Sequence, residues 1–172
     1  SEHYGVVEIT NATNTDGYIV LNLILSPMVK LMQFVVLADA MINAGDGCIF
    51  GLVDLSGTFE IDGSIIGIYF RHEYTETNWR AVTRNGAGVT STDTGVAYTD
   101  TVWYLFEIKQ ATAGTILFYI NHVLVATHTT NIYTADGLYP TFGMKDPGST
   151  SAFGVTIDYF AMQLTPITQR WD

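Results

Sequence analysis

Apolar residues along this chain rarely recur at the three-to-four spacing of a helix. They come in short runs, many of them alternating, broken by Gly, Asn, Asp, Pro and Thr. The pattern predicts strands over residues 17–25, 32–37, 48–53, 65–74, 78–83, 101–110, 115–120, 123–129 and 153–164. Residues 27–31 read as a short helical turn or a loop. Four joints carry turn chemistry. Asn85-Gly86 tolerates positive φ, Asn121-His122 separates two apolar runs as a two-residue hairpin turn, and Ala113-Gly114 and Asp146-Pro147-Gly148 mark two more. Short strands at this spacing, with no helices to cover a parallel sheet, predict an all-β, antiparallel two-sheet sandwich. Nothing resembles a linker or a repeat, so the reading is one domain over 1–172, with a core of about 17–165 and arms at 1–16 and 166–172.

Alternation also assigns faces. Tyr104, Phe106 and Ile108 share one side of their strand and are expected to point inward, whereas Trp103, Leu105 and the charged Glu107 share the other. In the last strand Val155, Ile157, Tyr159 and Ala161 fall on one face, Asp158 and Phe160 on the other.

Composition narrows the function. Of 172 residues, 48% are hydrophobic and 14% charged, which excludes a disordered chain. Seven Lys and Arg against 17 Asp and Glu give a formal charge of -10, so a nucleic-acid or anionic-membrane partner is not expected. No apolar run approaches the roughly 20 residues that cross a bilayer as a helix. The lone Cys48 excludes an intrachain disulfide and, inside Cys48-Ile49-Phe50, reads as a buried, inert thiol.

The order of segments resembles concanavalin-A-like lectin and glucanase jelly rolls. The residues that carry the likeness are the aromatic strand from Trp103 to Ile108, the hairpin Phe118-Tyr119-Ile120-Asn121-His122-Val123-Leu124-Val125-Ala126, the approach Leu138-Tyr139-Pro140, and Ile157-Asp158-Tyr159 in the closing strand. His122 stands where that hairpin usually has glycine. Together with Gly51-Leu52, Asn78-Trp79 and Asp93-Thr94-Gly95-Val96, the pattern is similar to jelly rolls of tailed-bacteriophage structural proteins. That resemblance implies a non-enzymatic virion protein, a capsid decoration or head-fibre protein on the outer surface of capsid or tail. It would bind the major capsid or other virion proteins, assemble as a homo-oligomer (a trimer as first choice), and use Trp171 and the terminal arms for contact. The alternative is a carbohydrate-binding module with a glycan partner, in a tail or fibre or elsewhere; a glycan hydrolase with a degenerate motif comes third.

The candidate chemistry is thin. Glucanases of this fold place Glu-x-Asp-x-x-Glu on one strand; here Glu60 and Asp62 are present, but Ser64 and Ile65 stand where the third carboxylate should fall. Asp93-Thr94-Gly95 is a lone aspartic-protease triplet, read as a polar loop. His3, His72, His122 and His128 form no ligand pattern, and His72, between Arg71 and Glu73, is expected at the surface. No catalytic residue and no cofactor are expected. For a metal, only Asp39, Asn43 and Asp46 are weak calcium candidates. Sugar stacking would need exposed aromatics, with Tyr74, Trp79, Tyr98, Tyr133 and Tyr139 as candidates.

Overall fold

A computed structural model describes residues 7–10, 17–20, 29–38, 41, 45–54, 65–112, 114–134, 137–145 and 154–164. Among them are twelve strands: β1 (Val7–Thr10), β2 (Gly17–Val20), β3 (Val29–Ala38), β4 (Gly47–Asp54), β5 (Gly67–Glu73), β6 (Asn78–Arg84), β7 (Val89–Ala97), β8 (Trp103–Thr112), β9 (Thr115–Ile120), β10 (Val123–His128), β11 (Leu138–Lys145) and β12 (Gly154–Leu164). They form two six-stranded sheets, β1-β12-β3-β8-β9-β10 (sheet A) and β2-β11-β4-β5-β6-β7 (sheet B). Every pairing is antiparallel. The all-β sandwich read from the sequence is the fold observed.

Inward-facing side chains of both sheets make one core. Met32, Phe34 and Val36 of β3, with Tyr104, Phe106 and Ile108 of β8, meet Cys48, Phe50, Phe70, Trp79 and Phe142 of sheet B. Phe34 stands at its centre, with ring centroids 5.5 to 6.4 Å from those of Phe50, Phe70, Phe106 and Phe142. A smaller cluster of Ile49, Val53, Ile65, Tyr69 and Val82 is buried on the outer side of sheet B. This explains why β4 is buried along nearly its whole length and reads as a continuous apolar run.

The turns follow their chemistry. Asn121 and His122 both adopt positive φ (50° and 66°), as a mirror-image two-residue turn requires, and Val123 pairs with Ile120 across it. Gly86 has φ 85° within the β6–β7 connection. There the Asn85 side-chain oxygen accepts the amides of Ala87 and Gly88. Asp146-Pro147-Gly148 lies outside the described residues.

Four expectations are corrected. Residues 29–31 are extended within β3 and not a helical turn, because they pair with Leu164, Gln163 and Lys109. Asp93-Thr94-Gly95 belongs to strand β7, whose alternating Thr90, Thr92, Thr94 and Val96 turn toward the core side. A register shift between Ile157 and Tyr159 inserts an extra residue in β12. The faces therefore switch: Val155 and Ile157 point inward, and so does Phe160, which meets Phe142 edge-on, whereas Tyr159 is 48% exposed. His72 is 2% exposed and lies inside the sandwich, because it shares the face of Ile68 and Phe70.

Candidate functional site

The outer face of β5 and β6 carries a set of charged side chains that the fold alone does not require. In β5, Ile68, Phe70 and His72 turn inward, which sends Tyr69, Arg71 and Glu73 outward; in β6, inward Trp79 and Ala81 send Asn78, Arg80 and Val82 outward. The hairpin register sets Arg71 directly opposite Arg80, and Arg80 opposite Asp93 of β7. Like charges directly opposed destabilise a sheet. Here the connecting turn offsets that cost. The Glu76 amide donates to the Glu73 carbonyl (2.8 Å), and the Glu76 carboxylate folds back over the face. Its Oε1 lies 2.8 Å from an Arg71 nitrogen and 3.2 Å from Arg80 Nε, and its Oε2 accepts the Glu73 amide at 2.9 Å.

The array continues at both ends. Glu73 pairs with Arg71 at 3.0 Å. Asp93 approaches Arg80 at 3.9 Å and accepts from the Asn78 side-chain amide and the Gly95 amide. The Gly95 amide, then that of Asn78, hold the Asp93 carboxyl below its ordinary range. Arg71 and Glu76 are largely covered, while Arg80 and Asp93 are more open. Tyr74, 45% exposed, sits in the same turn. Guanidinium, carboxylate and amide groups are thus held in fixed orientation, and the turn that joins their two strands carries an exposed aromatic ring. Such an arrangement can exchange several hydrogen bonds with a polyhydroxylated ligand.

Directly beneath, on the inner face, His72 stacks on Tyr98 (centroids 4.2 Å apart), with Nδ1 3.3 Å from Met41 Sδ. Burial pushes its pKa down to about 4, against the opposing pull of Glu76. Cys48 is the cross-strand neighbour of His72, and burial raises its thiol well above the usual range, as expected of an inert cysteine.

The sugar-stacking candidates separate by burial. Trp79 is 0% exposed and packs in the core, so, contrary to expectation, it is not available to stack on a sugar. Tyr98, Tyr133 and Tyr139 are partly buried, and Tyr74 is open. Of the calcium candidates, Asp39 and Asn43 lie outside the described residues, and Asp46 is buried at the start of β4. Glu60, Asp62 and Trp171 also lie outside them. The Arg71–Glu76–Arg80 array escaped the sequence reading because its members are not periodic; only the fold-back of the 74–77 turn unites them.

The family comparison decides membership: residues 2–158 match the model described as "SO2946-like, C-terminal domain". The chain belongs to that family. No curated protein sequence matches it. Solved structures similar to this chain include a native glycosidic hydrolase (TM-score 0.68, 11% identity, 95% of this chain and 80% of that one). A prokaryotic β-1,3-1,4-glucanase (lichenase) derived from a mouse hindgut metagenome matches with TM-score 0.67 and 10% identity, over 94% and 81% of the two chains. The Emp47p carbohydrate recognition domain matches with TM-score 0.67 and 12% identity, over 95% and 85%. These establish a concanavalin-A-like jelly roll. The bacteriophage virion role expected from strand order draws no support from these likenesses.

Proposed function

We propose that this SO2946-like C-terminal domain is a non-catalytic carbohydrate-binding module, and that the outer face of β5–β7 is its glycan surface. The observation that carries the reading is the directly opposed Arg71–Arg80 pair, held through Glu76. Partly buried ion pairs contribute little net stability, so stability alone does not account for the array. A sugar hydroxyl both donates and accepts, and a prearranged set of guanidinium and carboxylate groups meets it with little side-chain entropy left to lose. Tyr74 adds a ring for the apolar face of a pyranose. Structural neighbours that bind or cleave glycans agree with this direction.

The non-catalytic part rests on two points. The glucanase-like pair Glu60–Asp62 lacks its third carboxylate, and Asp93 is shifted away from the raised pKa that a proton donor to a leaving oxygen needs.

The test is a polysaccharide and glycan-array screen, followed by calorimetry on any ligand found. Saturable binding should weaken at least tenfold in Arg80→Ala and severalfold in Tyr74→Ala, with no reducing ends released on long incubation. Binding indifferent to both substitutions, or no binding across the screen, would overturn the site. Glycan cleavage would overturn its non-catalytic character.

A further inference from the structure

The opposite sheet carries a second, unrelated group of polar side chains. On the outer face of sheet A, cross-strand register sets Gln33, Glu107 and Tyr119 in one row across β3, β8 and β9, with Leu31, Lys109 and Leu117 in the next. The Glu107 side chain is only 12% exposed. Its Oε1 accepts from Gln33 Nε2 at 2.7 Å, and its Oε2 lies 3.0 Å from Nδ1 of His122, which the β9–β10 turn holds over it. Leu31, Glu107, Lys109, Tyr119 and His122 line a depression of about 250 Å³.

We propose that this depression binds a pyranose residue carrying a carboxylate, a site separate from the array on sheet B. Both Glu107 oxygens are already engaged, so the carboxylate is fixed in place and keeps lone pairs for ligand hydroxyls. Lys109 is exposed and pairs with no carboxylate among the described residues, and its ammonium is the group that would meet an anionic ligand. Tyr119 and Leu31 supply apolar surface for the flat face of the ring. In a chain of net charge -10, a depression whose one lining carboxylate is covered and already bonded, and which presents the exposed Lys109 ammonium, is a local exception. It favours an acid over a neutral sugar.

The experiment is an amide-NMR titration of the intact chain with D-glucuronate and, separately, D-glucose. Saturable shifts should centre on residues 107–109, 119 and 122, with at least tenfold weaker response to glucose. Lys109→Ala, an exposed position, should reduce glucuronate affinity at least tenfold, and Tyr119→Ala severalfold. Thr112→Ala, an exposed position at the far end of β8 and outside both polar groups, should leave both unchanged. Equal response to the two sugars, or full binding in Lys109→Ala, would overturn the proposal. Shifts confined to the Arg71–Arg80 face would also overturn it, while leaving the glycan surface of sheet B standing.

Discussion

At the level of single residues, Arg71, Glu73, Glu107 and Lys109 face outward from their strands, whereas His72 places a titratable ring on the inner face. Its ring lies among Trp79, Tyr98 and Met41, with Glu76 and Arg71 as the charges that bear on it. Because its folded pKa is lowered to about 4 from an ordinary 6.5, the folded state resists protonation while the unfolded chain accepts it. The stability that His72 contributes is therefore complete above pH 6.5 and falls away as the pH drops toward 4. The loss is up to about 3 kcal/mol over that window. Chemical denaturation from pH 7.5 to 4 should show this fall, and His72→Phe should flatten it. An unchanged slope in that variant would assign the loss to other groups. His128 behaves similarly but less strongly: burial lowers its pKa, and Thr83 and Thr92 hydroxyls lie 3.0 and 2.9 Å from its two ring nitrogens.

Elements in this sandwich meet closely enough that individual glycines matter. β4 and β5 approach so tightly at Gly51 that an added Cβ would meet the Ile68 carbonyl oxygen and lie 2.6 Å from the Tyr69 Cα; Gly67 meets β4 in the same way. Backbone cannot yield as a flexible side chain can. Gly51→Ala should thus cost about 2–4 kcal/mol, read as a lower denaturation midpoint. Gly114→Ala, with open space around its Cβ but φ 80°, should cost about 1 kcal/mol. Equal losses at both sites would mean that backbone conformation, and not contact between β4 and β5, sets the cost at Gly51.

Across the whole molecule, one aromatic core ties both sheets together, so they should unfold as a unit. Phe34 contacts rings from both sheets and is fully buried. Phe34→Ala should destabilise by about 3–5 kcal/mol. The transition should stay single, with tryptophan fluorescence and far-UV circular dichroism coinciding. Separate midpoints would show that the sheets are independently stable. The two polar groups lie on opposite outer faces, outside this core, so substitutions at Arg80 or Lys109 should leave stability within about 1 kcal/mol.

The fold class was legible in the sequence because a period of two apolar positions leaves few other solutions. Tyr104, Phe106 and Ile108 point inward as that alternation requires. Asn121-His122 turns as its residue types allow. Strand β7 was not legible, since its Thr, Ser and Asp residues carry almost no apolar signal, and its place depends on pairing with β6. The extra residue in β12 escaped for a different reason: a bulge changes face without changing composition. Neither polar group could be read from local pattern. Arg71 meets Arg80 only through hairpin register, and Gln33 lies 74 residues from the Glu107 it holds. Alternation along a strand decides which side a residue faces. Which strands lie beside it, and so which charges meet, is decided only when the sheets assemble.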